Sequence, residues 1–394
     1  MTLHAQLLPA LTRARAQTDS LFELLDPAAL YARPIPERHR IIFYLGHLEA
    51  FDWNLLRPAL DRPAFHSSFD RLFSFGIDPG ADDLPRDQPA DWPSEDEVRG
   101  YNTRVRSSLE AALGAPPPSL SDQLLHVAIE HRLMHAETLA YMLHHLPFEQ
   151  KAAPALSRAR AGPSPENRMV EIPAGTATLG RNHREGFGWD NEFVAHRVEV
   201  PGFAIARYKV TNGDYLEFVK AGAPVPHFWT CREGDWCYHG MFEDVPLPLD
   251  WPVYVSYEQA QSYARWKGRS LATEAQFHRA AYDGDAASDG FAGGNVDFRS
   301  WDPEPVTACQ PNPRGVSQMV GNGWEWTATP FAPFSGFEPF SFYPGYSANF
   351  FDGQHYVLKG GSPRTARCLL RPSFRNWFRP AYPYVYATFR LVEN

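Results

Sequence analysis

The sequence predicts an α+β chain of two dissimilar domains, and three observations predict it. Nine of the 15 histidines fall before residue 150, whereas nine of the 11 tryptophans follow residue 169. Apolar residues recur at helical spacing through the first 150 residues. Beyond residue 168 they fall into short runs, separated by loops rich in Gly, Pro and aromatic side chains. A length of 394 residues also favours two domains, and 44% hydrophobic residues suffice for two cores.

The elements follow in order. Leu3 to Leu24 has helical periodicity and stops before Pro27. Pro36 to Leu56 is a second helix, with Ile41, Ile42, Leu45, Leu48 and Leu55 on a broad apolar face. Arg62 to Pro93 is an irregular connection rich in Pro, Asp and Gly, and connections of that length are often functional. Glu95 to Leu113 is the third helix, begun by the N-cap Ser94 with acids in the first turn. Ser121 to Leu146 is the fourth, with Leu125, Ala128, Ile129, Ala136, Leu139 and Ala140 among its apolar positions. Four helices that each bury one face predict a four-helix bundle over residues 1–150. Residues 151–168 are rich in Ala, Pro and Ser and read as a linker.

In the second domain, residues 169–394, strands are expected at Met169 to Ile172, Ala177 to Leu179, Arg197 to Val200, Phe203 to Tyr208, Val357 to Lys359 and Thr388 to Leu391. Helices are expected at Ser256 to Lys267 and Thr273 to Asp283. Short strands, few helices and long loops make this an irregular α+β domain.

Composition excludes several function classes. With 37 basic against 46 acidic side chains, bulk charge does not suit a grip on nucleic-acid phosphates. No apolar run approaches the roughly 20 residues of a membrane helix. Arg13, Arg15 and Asp19 interrupt the start, so it does not read as a signal peptide. The four cysteines form no CxxC pair, which suits a reduced, cytoplasmic setting, with a Cys231–Cys237 bridge left open. Small molecules are the expected partners.

The sharpest local feature is His131-Arg-Leu-Met-His135-Ala-Glu137 in the fourth helix. Residues at i and i+4 share a helix face, so two imidazoles there reach one divalent ion. His47, on the apolar face of the second helix, supplies a third ligand from across the bundle. Three His with open coordination positions is a catalytic rather than a closed structural pattern. The competing reading is three satisfied core histidines. Glu137 lies on a different face and is either an outer acceptor for an imidazole N–H or solvated. HExxH is absent, so the zinc-protease reading lacks its general base.

His47 together with His131–Glu137 resembles the DinB-like bundle of ergothioneine-type synthases. The second half resembles the formylglycine-generating-enzyme (sulfatase-modifying) fold, a C-type-lectin-like domain. The matching segments are Gly186-Phe-Gly-Trp-Asp-Asn-Glu192, Tyr208–Asn212, Pro252–Tyr257, Leu271–Glu274, Gly321-Asn-Gly-Trp-Glu-Trp-Thr327, Lys359–Ser362 and Arg371-Pro-Ser-Phe-Arg-Asn-Trp377. Their order, and the pairing of the two domains, is specific. The resemblance implies non-heme Fe(II) held by His47, His131 and His135, O2 as co-substrate, and attachment of sulfur or selenium to the imidazole C2 of hercynine. It places the substrate between bundle and C-terminal domain and assigns Arg375, Asn376, Trp377 and Phe378 to substrate binding. Trp377 suits a trimethylammonium group by cation–π attraction, whereas Trp324 and Trp326 belong to the fold. A proton-donating tyrosine is implied, with Tyr343 and Tyr346 the candidates. Formylglycine-generating enzymes use two cysteines after the Gly-Gly-Ser segment; here only Cys368 follows, so that chemistry is not expected.

The donor is read from two departures. Synthases that take γ-glutamylcysteine carry an Arg-rich loop after the second bundle helix and an Asp directly after the Asn-Trp pair. Here residues 76–88 hold one Arg (Arg86) and four Asp, and Phe378 follows Trp377. An acidic loop repels a dicarboxylate thiol, and Phe cannot pair with an ammonium group. A selenosugar donor, as in the similar selenoneine-synthase branch, fits, with Asp side chains available to sugar hydroxyls. A synthase using cysteine or γ-glutamylcysteine is the alternative; a non-enzymatic lectin-like binding module is the alternative from another class. Asp190, Asn191 and Glu192 are read as a structural turn, or as oxygen ligands for Ca2+.

Overall fold

The computed structural model describes residues 3–74, 84–154, 161–282 and 294–394. It forms two compact units, Met1–Pro154 and Ala155–Asn394. Among the described residues no helix is long and apolar enough to cross a membrane.

The first unit contains α1 (Leu3–Phe22), α2 (Ile41–Leu56), the short α3 (Ser67–Leu72), α4 (Glu95–Leu113) and α5 (Asp122–His144). α5 packs on α1 and α2, and α2 also packs on α4. Capping by Ser94 holds as expected: its Oγ accepts from the Glu97 N–H and the Glu97 carboxylate accepts from the Ser94 N–H. α2 starts at Ile41 rather than Pro36. Arg40 is extended, and the Ile41 N–H turns back to the Ala32 carbonyl. α2 is buried almost all round, from Ile41 to Trp53, as befits a helix enclosed by others. α3 was not expected; it delivers a fully buried Phe73 from within the irregular connection.

A buried ion network joins the four long helices. Arg132 of α5 donates to Asp52 Oδ2 (2.7 Å) and to the Leu48 carbonyl (2.9 Å), both on α2, and lies 3.0 Å from Glu49. Arg106 of α4 donates to Glu49 (2.6 Å) and, with two bonds of 2.7 Å, to Asp19 of α1. Burial alone would raise Glu49, but the Arg132, Arg106 and Arg15 guanidiniums overcome it and hold the carboxyl down at about 2. For Asp52 burial outweighs Arg132 and Arg15, and its carboxyl is raised.

Both described ends of segment 151–168 are tied down. Lys151 bridges to Leu25. The Gly162 N–H donates to Asp250 (2.7 Å), and the Asn167 amide closes two hydrogen bonds on the Tyr208 backbone (2.9 and 3.1 Å).

The second unit opens with β1 (Met169–Ile172), β2 (Gly175–Leu179), β3 (His196–Val200) and β4 (Phe203–Ala206). There follow α6 (Asn212–Lys220), β5 (Trp229–Arg232), β6 (Asp235–His239), β7 (Asp244–Pro246), α7 (Tyr257–Trp266), β8 (Ser270–Leu271) and α8 (Glu274–Ala281). The chain ends with β9 (Trp324–Pro330), β10 (Tyr356–Lys359), β11 (Asn376–Phe378), β12 (Ala387–Thr388) and β13 (Leu391–Glu393). Two four-stranded sheets, ordered β1-β4-β13-β8 and β11-β10-β9-β12, are joined by a β2–β3 hairpin and a β5-β6-β7 sheet. Each of the three helices starts at a capping box, on Thr211, Ser256 and Thr273.

The expected strand Thr388 to Leu391 is split. β12 runs parallel to β9 in one sheet, and β13 lies antiparallel to β4 in the other. Arg390, between them, turns inward to the buried Glu325 (Nε–Oε1 3.0 Å). Trp324 and Trp326 of β9 are buried in the core. In the β5–β6 hairpin Cys231 faces Trp236 and Cys237 faces Thr230. Their side chains therefore leave opposite faces, which removes the Cys231–Cys237 bridge; all four cysteines are free.

Candidate metal centre

His131 and His135 lie one turn apart on α5, facing His47 on α2. Nε2 of His47 is 3.1 Å from Nε2 of His135, and one nitrogen from each of the three rings falls within 4.8 Å of the others. Among the described residues this is the one group of three or more His, Cys, Asp or Glu whose ligand atoms converge. Glu137, half-buried on α5, is outside that group.

His47 Nδ1 lies 2.7 Å from the Phe73 carbonyl. A carbonyl only accepts, so Nδ1 carries the proton and the Nε2 lone pair faces the other two rings. Phe51 lies flat on His131 (3.4 Å between centroids, 9°), Phe43 stacks on His47 (4.8 Å, 19°), and Tyr44 borders His135 (5.7 Å). His135 Nδ1 is buried without a hydrogen-bond partner.

These walls keep the imidazoles neutral. Burial pushes His47 down to about 4, against the smaller upward pull of the Phe73 hydrogen bond. Burial first, then the neighbouring imidazoles, holds His131 and His135 well below the ordinary histidine range. Neutral, converging imidazole nitrogens fit a first-row divalent ion. They also predict an acid-labile apoprotein. Between pH 6.5 and about 4 the unfolded chain binds protons that the folded triad refuses. The contribution is complete above 6.5 and is lost as pH falls toward 4. For His47 alone the drop from 6.5 to about 4 corresponds to about 3 kcal/mol. Urea unfolding of metal-stripped protein at pH 7 and pH 5 checks this; equal stability at the two values would contradict it.

The second unit places the other expected site residues. Asn376, Trp377 and Phe378 form β11, at the edge of its sheet. Alternation puts Asn376 and Phe378 on one face and Trp377 on the other. Trp377 stacks on Phe331 (4.2 Å, 7°) and meets the Tyr346 ring edge-on (5.4 Å, 79°). Asn376 Oδ1 accepts from the Trp377 N–H (2.9 Å). Phe378, half-buried, lies parallel to Tyr382 (5.5 Å, 2°). Tyr346 is buried with its ring on Trp189 (4.0 Å), and Tyr343 stands 5.6 Å away. Burial, aided by the Asp190 carboxylate, pushes Tyr343 up to about 12.

Three further groups are placed by the structure. Arg375 is held inside the unit: it donates to Glu274 (3.1 Å) and to the Ala332 carbonyl (3.0 Å), 4.1 Å above the Phe334 ring. The Glu192 carboxylate accepts from the Trp189 N–H (2.8 Å), Ser373 (2.6 Å) and Arg371 (2.7 Å), as the structural-turn reading of this segment expects. Asp190 bonds Ser347, so the segment is a buried structural turn. In the acidic loop, residues 76–83 lie outside the described residues. Asp87 is paired within the bundle: its carboxylate accepts from Arg33, Arg40 (3.1 Å) and Trp92 (2.7 Å). The residues that reading the sequence missed are Phe43, Phe51 and Phe73, which wall the triad. Phe43 and Phe51 sit one turn either side of His47, a signal that was available; nothing in the local sequence marks Phe73.

The chain resembles known proteins throughout. The family described as "Sulfatase-modifying factor enzyme 1-like domain" matches residues 155–394, and the DinB superfamily matches residues 10–151. A hercynine oxygenase of Mycobacterium tuberculosis is 32% identical, over 100% of this chain and 99% of its own. Ergothioneine biosynthesis protein 1 is 27% identical in Neurospora crassa and 29% in Schizosaccharomyces pombe, in each case over 94% of this chain. The chain spans about half the length of these two fungal relatives, 56% and 54%.

Proposed function

Because the chain belongs to the sulfatase-modifying factor enzyme 1-like family and, over its whole length, to the family of the hercynine oxygenases, we propose that it is a non-heme Fe(II), O2-dependent enzyme acting on the imidazole C2 of hercynine. The observation that carries this reading is the triad: three neutral imidazoles from two facing helices, within 4.8 Å of one another behind aromatic walls. His47, His131 and His135 hold the iron. Bound there, ferrous iron supplies O2 activation and a place where the two reactants meet. The chain's own residues do the rest. The Phe73 carbonyl keeps His47 in its ligating tautomer. Phe43 and Phe51 cover the His47 and His131 rings. Trp377, backed by Phe331, offers an aromatic surface to a trimethylammonium group. Tyr343 or Tyr346 is the group placed to supply a proton; burial raises the Tyr343 phenol further above neutral pH.

The finer proposal is formation of a C–Se bond to a selenosugar. Phe378 supports it, since a ring stacked on Tyr382 offers no charge to an amino-acid thiol's ammonium group. The acidic-loop argument is weaker than the sequence suggested, because Asp87 is neutralised within the bundle. A thiol donor is the second reading, favoured by the relatives named for ergothioneine biosynthesis. The test incubates the protein with hercynine, Fe(II) and O2 and either a selenosugar or γ-glutamylcysteine or cysteine, reading products by mass. Selenium transfer at least about 10-fold faster than thiol transfer, a difference of about 1.4 kcal/mol, is expected. Preference for a thiol overturns the selenium assignment. No product with any donor overturns the enzymatic reading in favour of a binding module. The working compartment is proposed to be the cytoplasm.

A further inference from the structure

We infer that Gly46 and Phe73 form a positioning pair that sets the orientation of His47, so that the end of α3, remote in sequence from the ligands, fixes one of them. Gly46 immediately precedes His47 on α2, and it is an unfavourable choice for the interior of a helix. Its absent side chain has a definite use. A Cβ built there would stand 2.6 Å from two atoms of the Phe73 ring and 2.7 Å from a third, closer than real contacts allow. The obstacle is a rigid ring at 0% exposure, lodged near Phe43 (6.2 Å) and Trp92 (6.3 Å), so it has little freedom to withdraw. That close seat brings the carbonyl of the same residue to 2.7 Å from His47 Nδ1. Ring and carbonyl belong to one backbone unit, and displacing the ring displaces the acceptor. Without the acceptor, nothing selects the Nδ1–H tautomer or holds the ring plane, and Nε2 is a poorer ligand.

The inference rests on the reading of His47, His131 and His135 as a metal site, and the experiment separates the two. Binding of Co(II) to the full-length protein is measured anaerobically by competition with a chromogenic chelator. The exchange-protected imidazole N–H of His47 is followed by NMR in the metal-free protein. Gly46→Ala is expected to weaken Co(II) binding roughly 10- to 100-fold, the range for lost outer hydrogen bonds to ligating histidines, and to abolish the protected N–H signal. Adding Phe73→Leu, which makes room for the new methyl while keeping the backbone carbonyl, is expected to restore both. Gly46→Ala with unchanged affinity and N–H signal overturns the inference. So does a double variant that recovers neither. If Gly46→Ala does not fold, Phe73→Ala decides: a folded protein with weakened Co(II) binding supports the pair, and wild-type affinity overturns it. Failure of the wild type to bind Co(II) overturns the metal site itself.

Discussion

Replacing His131 or His135 by alanine will leave a folded bundle that has lost its metal. Iron content after anaerobic loading should fall from one per chain to near zero, and turnover should fall by more than the roughly 100-fold typical of outer-shell changes. The stability of the metal-free variants should change less between pH 7 and pH 5 than that of metal-free wild type, because each removes an imidazole that burial keeps from protonating. Metal content separates the two readings of HxxxH. A core histidine kept for packing carries no metal in the wild type, whereas a ligand loses it on truncation. Unfolding curves at pH 5 and pH 7, with metal analysis of the same samples, check the outcome.

The second large effect is expected at Arg132, which follows His131 on α5 and meets the buried carboxylates of α2. Arg132→Met leaves Asp52 without its 2.7 Å partner and removes one of the guanidiniums that surround Glu49. Breaking a buried pair from one side typically costs about 3–5 kcal/mol. Urea unfolding of the bundle, followed by far-UV circular dichroism, should register that loss. Adding Asp52→Leu, which removes the stranded charge, should return part of it. A single variant within 1 kcal/mol of wild type, about a fivefold change in the folded ratio, would contradict the account of the network.

Legibility in the sequence followed the physics of each element. α4 was readable to the residue because its signal is local: the Ser94–Glu97 box sits directly before an amphipathic run. α2 was misjudged at its start because the stop comes from a tertiary bond, Ile41 N–H to the Ala32 carbonyl. The His47–His131–His135 grouping was suggested by i,i+4 spacing and a shared apolar face, and the structure brings the three rings together. Periodicity could not reveal Phe73, which reaches the centre from a connection without a repeat. In the second unit, β5 to β7 escaped notice because their residues, from Trp229 to Pro246, are polar and turn-rich rather than alternating. The buried contacts of Arg375 could not be read from its neighbours Asn376 and Trp377. Its partner Glu274 lies 101 residues away, and no local pattern announces such a pair. In the acidic loop Asp87 is likewise answered from afar, by Arg33 and Arg40, which precede it by about 50 positions.

The central claim is that His47, His131 and His135 together hold one catalytic iron. Anaerobic titration of metal-free wild type and of the His47→Ala variant with Fe(II), followed by iron analysis of the washed protein, tests it most directly. One iron per chain in the wild type and none in the variant is the expected result. A wild type that retains no iron, or a variant that retains as much as wild type, would contradict it.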